Sequence, residues 1–439
     1  MFTRFSRLPW LPCILAGALA ARLGAAVLIQ HQVDQTPGRL CLIAGDAAGY
    51  WDLARHLVRG EDFAIYNPPR YALRMPGFPL VMAGWMKLFG ENVLGMRILL
   101  AFVGTGACWL VYLLGRELVD DSTGLVACFV AAISPMFIGF SVLLLSETLF
   151  GLALLASLIA FAKLAKADDA AIEPTPESLS KNGTMLAVVA GLLSGAATLV
   201  RPTWMLVVPA LGLLYLMPVY LIPERNRKRR LGRVALVMTG LALALAPWTI
   251  RNAIVTGHFV PTTLWMGPSL YDGLSPQATG VSNMEFIEAD GWYGSPDVSE
   301  YDADRHYRQA AVAFAREHPR RALELAVIKL WRFCNPFPNA EQFGQWTVWL
   351  GVGLFELPVL FLALIGIWQV RRSSLCWALA AGPMLYFALI HTVFIGSLRY
   401  RLPAEYALLV LSAVGGRWLA TKFFAWRSIS PHSRLQGAA

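Results

Sequence analysis

The sequence predicts an all-α, polytopic membrane protein, and three observations predict it. Apolar runs long enough to cross a bilayer recur along the chain. Of the 439 residues, 56% are hydrophobic and only 15% charged, where a soluble domain carries about 25% charged residues. Basic residues gather between alternate apolar runs, as the positive-inside rule expects. Mean hydropathy is +0.53, and many of the fifteen tryptophans stand near predicted helix ends, in the manner of an interfacial aromatic belt. The net charge of +9 does not point to nucleic acid, because six basic residues sit together in "ERNRKRRLGR" (Glu224–Arg233) between two apolar runs. A cytoplasmic anchor is the simpler reading.

Positive-inside counting threads residues 1–439 as one membrane module of about ten spans. The first run, Pro9–Gln30, follows Arg4 and Arg7. At about 20 residues it exceeds a signal-peptide core of about 7–15, so it reads as an uncleaved helix entering from the cytoplasm. A long external loop, 31–94, follows. Spans at 95–114, 123–134 and 147–164 come next, the last ending at Lys163 and Lys166. The stretch 167–183 reads as a polar cytoplasmic linker, and spans 184–200 and 203–222 meet at an external "RPTW" corner. After the basic loop, span 234–250 leads to a second external region, 251–345, then to spans 347–369, 375–394 and 403–420. Both termini are then cytoplasmic. The apolar run Met75–Gly90 is not counted: short and holding two prolines, it suits a juxtamembrane helix on the outer face. Counting it would turn the basic loop outward.

The six cysteines form no metal-binding spacing. Cys13, Cys108, Cys128 and Cys376 fall in apolar runs and read as packing residues, whereas Cys41 and Cys334 both fall outside the cytoplasm. A disulfide would survive there, and the sequence leaves a bridge and two free thiols open.

The threading brings the chemistry to one side. Asp46, Arg74, Arg97, Glu147, Arg201, Arg251, Arg399 and Arg401 all fall at external helix ends or in external loops. A single arginine at such a boundary is an ordinary snorkelling anchor, but the whole set points to a site. Asp46 opens "GDAAGYWDLARHLVRG", where Tyr50, Leu53 and Leu57 share a face and Asp52, Arg55, His56 and Arg59 take the wetter side. It is either a functional acid or the cap of this helix. Glu147, in "LLLSETLF", is either functional or a first-turn acid favoured by the helix dipole. No Gly-rich phosphate loop and no sizeable cytoplasmic domain serves a nucleotide substrate. A polyprenyl-phosphate sugar is membrane-borne and already activated. Arginines or a metal would stabilise its phosphate as it leaves, while a carboxylate deprotonates the attacking hydroxyl. Transfer then occurs with inversion.

Seven segments carry a family resemblance: "GDAAGYWDLARHLVRG", "RMPGFPLVMAGWMKLFGENVLGMR", "LSETLF", "RPTW", "PWTIRN", "HPRRALELAVIKLWRF" and "RYRLPAE". In this order, from about residue 9 to 415, the chain resembles GT-C glycosyltransferases of the protein O-mannosyltransferase and lipid A aminoarabinose-transferase type. The resemblance implies a GT-C-type fold with juxtamembrane helices in the first external loop. It implies that Asp46 is the acceptor base and that Glu147 is a second external acid, shaping the site or holding a cation. Arg74, Arg97, Arg201, Arg251 and Lys329 become candidate donor-phosphate contacts, with Tyr50 among the substrate-binding residues. Arg399 and Arg401 flank Tyr400, and either could face the donor. Many relatives carry a second acid beside the first, whereas Asp46 is followed by Ala47 and Ala48. A divalent cation therefore remains a candidate cofactor and none is certain. With no soluble domain after the last helix, the two external loops would recognise the acceptor, a lipid, protein or polysaccharide. The expected location is the cell's inner (plasma) membrane, with the site on the non-cytoplasmic side. In "HPRRALELAVIKLWRF" the apolar stripe Leu323, Ala326, Val327 and Leu330 reads as packing, and His306 and His318 lack metal spacing. The alternative function is a transporter or flippase for a lipid-linked glycan, kept alive by Arg22 inside the first helix.

Overall fold

The computed structural model describes residues 10–36, 39, 41, 45–170, 178–217, 224–338 and 345–428. Helix α1 (Trp10–Asp34) leads to α2 (Asp46–Arg59) and α3 (Gly77–Phe89), then to α4 (Val93–Leu118), α5 (Asp121–Ile133), α6 (Pro135–Phe140) and α7 (Glu147–Ala170). Helix α8 (Ser178–Val200), a 3-10 turn at Pro202–Trp204, α9 (Val207–Leu216) and α10 (Glu224–Thr256) follow. The second long loop holds α11 (Met266–Gly273), α12 (Phe286–Ala289), α13 (Glu300–Glu317) and α14 (Pro319–Cys334). Next come α15 (Trp346–Gln369), α16 (Ser374–Cys376) running through a π-helical stretch into α17 (Gly382–Val393), and α18 (Leu398–Ser428).

Among the described residues, eight helices are long and apolar enough to cross a bilayer, and the chain is an integral membrane protein. The other two expected spans coincide with the shorter apolar helices Asp121–Ile133 and Pro202–Leu216; residues 218–223, the end of the expected sixth span, lie outside the described set. Two expected loops are largely helical. The basic stretch Glu224–Arg233 forms the first turns of α10, and the 167–183 linker shrinks because α7 runs to Ala170 and α8 starts at Ser178. Hydropathy marks charges as loop, yet Arg, Lys and Glu are good helix formers. Here Asp168 on α7 accepts from the Tyr215 hydroxyl at 2.6 Å and pairs with Arg233 at 3.4 Å. Small residues let the spans close: a Cβ on Gly366 would lie 1.9 Å from Leu411 O, and one on Gly415 2.0 Å from Leu362 O. Helices α15 and α18 thus cross at backbone contact.

The fold also explains Arg22. Helix α5 stops at Ile133 and the chain turns through Ser134 into α6, which leaves carbonyls unpaired in an apolar setting. Arg22 is fully buried and donates to Ala131 O and Ala132 O, both at 3.3 Å. It closes a broken helix, and α18 and α4 pack on that same helix. Arg97 does similar work, donating at 2.6 Å to Val142 O in the non-helical segment before Glu147.

The two long loops meet over one end of the bundle. Arg70 donates to Tyr293 O at 2.6 Å, Val298 O at 2.9 Å and Ser295 O at 3.1 Å. Glu300, buried at the start of α13, accepts from the Tyr71 amide at 2.8 Å and the Ala72 amide at 3.0 Å. Arg251 on α10 reaches Tyr71 O at 2.6 Å and Phe63 O at 2.9 Å. Each clamp satisfies loop backbone that has no helix partner. Glu300→Ala strands two amides and is expected to cost about 2–3 kcal/mol. Thermal unfolding of the purified protein measures this as a lower Tm, and Glu300→Gln, keeping one acceptor, should lose less.

Candidate functional site

Helix α2 begins after Gly45, whose φ of 80° suits glycine, and ends at Gly60 with φ 72°. Its apolar side is inside: Tyr50, Trp51, Leu53 and Ala54 are buried. No side chain caps its N-terminus. The Asp46 carboxylate instead turns to two guanidiniums, Arg74 Nη1 at 2.8 Å and Arg399 Nη2 at 2.9 Å. Arg399, in the first turn of α18, also pairs through Nε with Glu147 at the start of α7. Glu147 pairs in turn with Arg201 at 2.8 Å.

The result is a continuous chain of charge, Arg74–Asp46–Arg399–Glu147–Arg201, under the two loops. It is graded in access: the Glu147 side chain is 2% exposed and that of Asp46 30%. Burial alone would raise the Asp46 carboxyl, but Arg74 and Arg399 outweigh it and hold the group well below the usual carboxylate range. Burial likewise works against the Arg201 cation, and Glu147 more than restores it. Aromatic faces frame the guanidiniums. Arg74 lies 5.5 Å from the Tyr50 ring and 5.9 Å from that of Trp265; Arg201 and Arg399 lie 5.6 and 5.9 Å from Tyr400. Behind Tyr400, His391 stacks at 4.8 Å.

The structure therefore gathers Asp46, Tyr50, Arg74, Glu147, Arg201 and Arg399. The remaining candidates are engaged elsewhere. Arg97 and Arg251 hold the backbone carbonyls already described. Lys329 on α14 is buried, donates to Val393 O at 2.6 Å and Gly273 O at 3.2 Å, and is pulled down by burial to about 8. Arg401 faces Glu356 and Glu405 rather than the chain of charge. Trp265, Tyr400 and His391 complete the surroundings. Of these, Tyr400 alone had a signal in the sequence, as the aromatic between two boundary arginines. Cys41 and Cys334 are free thiols.

Counting charge, three guanidiniums against two carboxylates leave this set at +1. Both Asp46 oxygens and one Glu147 oxygen already face arginine. Among the described residues no three His, Cys, Asp or Glu side chains gather as a metal site. The surplus positive charge suits an anion.

This architecture has known counterparts. Over 98% of this chain and 52% of the other, it matches the archaeal oligosaccharyltransferase AglB from Archaeoglobus fulgidus, in complex with an inhibitory peptide and a dolichol-phosphate, at TM-score 0.59 and 15% identity. The Archaeoglobus fulgidus oligosaccharyltransferase tethered to an acceptor peptide gives 0.60 at 15% identity, over 97% and 51% of the two chains. The chain has a GT-C fold. It spans about half the length of AglB. ArnT from Cupriavidus metallidurans bound to undecaprenyl phosphate is less alike, at TM-score 0.45 and 14% identity over 97% of this chain and 82% of that one. Residues 72–250 match the model of a family described as dolichyl-phosphate-mannose-protein mannosyltransferase. That segment holds Arg74, Glu147 and Arg201 of the charged cluster; Asp46 and Arg399 lie outside it. Comparison with curated protein sequences found no match.

Proposed function

We propose that this GT-C protein is a glycosyltransferase that moves a sugar from a polyprenyl-phosphate donor to an acceptor hydroxyl, with inversion, on the non-cytoplasmic side of the cell's inner membrane. The observation that carries the reading is the bridge of Arg399 between Asp46 and Glu147, flanked by Arg74 and Arg201. A set carrying one surplus positive charge beside an apolar bundle suits a lipid phosphate. Arriving phosphate oxygens compete with Asp46 for Arg74 and Arg399. As those ion pairs lengthen, the Asp46 carboxylate gains basicity and can take the acceptor hydroxyl's proton while that oxygen attacks the anomeric carbon. The sugar–phosphate bond breaks, and the arginines hold the departing phosphate. Glu147, buried beneath, keeps Arg201 and Arg399 in place. The two clamped loops are the surface on which a lipid, protein or polysaccharide acceptor is read. The AglB structure, in complex with a dolichol-phosphate, supports this choice of donor.

A transporter reading has less behind it, since Arg22 closes α5 rather than lining a path. Purified protein in lipid, given a panel of polyprenyl-phosphate sugars and acceptors, provides the test. Release of free polyprenyl phosphate coupled to a glycosylated acceptor is the expected result. Movement of the intact donor between leaflets without its consumption would sink the proposal. We further propose that turnover needs no divalent cation, so EDTA should leave the rate unchanged; loss of activity restored by added Mn²⁺ or Mg²⁺ would refute that point.

A further inference from the structure

A second charged cluster lies within the membrane-spanning part of the fold, apart from the site. Arg401 on α18 is fully buried. It pairs with Glu356 of α15 at 3.2 Å and with Glu405, one turn further along α18. Its other amine nitrogen donates to Phe333 O at 3.1 Å and Asn335 O at 2.9 Å, the carbonyls where α14 ends. The two glutamate side chains are 2% and 3% exposed. Glu356 lies ten residues beyond Trp346, the start of α15, or about 15 Å along the helix. The site's own acids sit at helix starts instead.

The charges do not balance as drawn. Two carboxylates beside one guanidinium sum to −1, and among the described residues no other cation pairs with either glutamate. Among the described residues the Cys334 thiol of α14 also faces Arg401 and the Tyr406 hydroxyl faces Glu405, and neither adds positive charge. A surplus charge held in hydrocarbon is costly. Both carboxylates meet the same guanidinium, Glu356 through Arg401 Nη2 and Glu405 through Nε. Ionised carboxylates only accept, whereas a proton on one of them removes the surplus charge and supplies a donor.

We infer that Glu356 and Glu405 share one proton and form, with Arg401, a neutral triad that clasps α14, α15 and α18. One glutamate supplies the counter-charge and the other, protonated, donates to it. A neutral clasp satisfies the α14 carbonyls and joins three helices without leaving a net charge in the bilayer. The inference concerns protonation alone and stands whether or not the chain transfers sugar.

Infrared spectroscopy of the purified protein in lipid at neutral pH tests it, with no substrate present. The wild type should show a protonated-carboxyl C=O stretch that moves on ¹³C-glutamate labelling. In Glu356→Gln or Glu405→Gln the amide N–H replaces the shared proton, the remaining glutamate stays paired with Arg401, and that band component disappears with Tm retained. The double substitution strips Arg401 of both counter-charges and should lower Tm by more than the two single changes together. Absence of a labelled band in the wild type, or its persistence unchanged in both single variants, would overturn the shared proton.

Discussion

Asp46→Asn is expected to lower kcat by about 10²–10⁴-fold, the range spanned by loss of a general base, while donor binding persists. Asparagine keeps the shape and one acceptor oxygen, which serves Arg74 or Arg399 but not both, and Arg399 retains Glu147. It cannot accept the acceptor's proton. Removing the negative charge also frees both guanidiniums for phosphate, so donor affinity should hold or rise. A fall in kcat without a rise in KM identifies an interaction made in the transition state. Unchanged turnover would remove Asp46 from the chemistry.

The same residue sets a pH signature. In the free protein Arg74 and Arg399 depress the Asp46 carboxyl, so it stays ionised well below the ordinary carboxylate range. Its folded value lies below the unfolded one, near 3.9. Its stabilising contribution is therefore present above that unfolded value and lost as pH falls through the folded one. Bound donor phosphate draws the arginines away and raises the carboxyl. Since kcat/KM reports the free enzyme and kcat the bound complex, the acid limb of kcat should lie at higher pH than that of kcat/KM. Coincident limbs would show that donor binding leaves the Asp46 ion pairs intact.

Much of this site is legible in the chain because charge beside an apolar boundary is rare. That argument singles out Asp46, Arg74, Glu147, Arg201 and Arg399 with no distance known. It gives the same weight to Arg97, Arg251 and Arg401, whose partners are backbone carbonyls or other acids, while Lys329 is a candidate only through the family resemblance. Irregular backbone needs such donors wherever loops and broken helices are covered, and nothing local announces which arginine serves it. Arg399 and Arg401 show the limit well. Two residues apart on a helix, they point in nearly opposite directions, and only the packing of α18 decides which one meets Asp46. Glu356 escaped for another reason. Inside the apolar run "GLFELPVL" it does not spoil a membrane span, although a lone acid there is a signal in itself. The helices were legible wherever the apolar period ran long. The short α5 has its last carbonyls met by Arg22, far away in the chain, and α10 extends through charges whose partners lie on α7.

Arg399 should be the most sensitive position in the molecule. It alone touches both acids, and Glu147 is buried where water cannot replace a lost partner. Arg399→Ala leaves Glu147 with Arg201 and Asp46 with Arg74; breaking a buried pair in this way costs about 3–5 kcal/mol of stability. Such a loss risks the fold itself, so Arg399→Lys is the more informative change. An ammonium keeps the charge but presents a point rather than a planar fork. It can satisfy Glu147 or Asp46, not both with the present geometry. The expected result is a folded protein whose kcat/KM falls by about 10²–10³-fold, the cost of losing one preorganised electrostatic contact. Combining Arg399→Lys with Asp46→Asn separates two readings of that loss. If Arg399 acts by placing Asp46, the double variant is hardly worse than Asp46→Asn alone. If it acts on the departing phosphate independently, the two losses multiply. Additive free energies would therefore assign Arg399 to the phosphate, and strong non-additivity would assign it to the base.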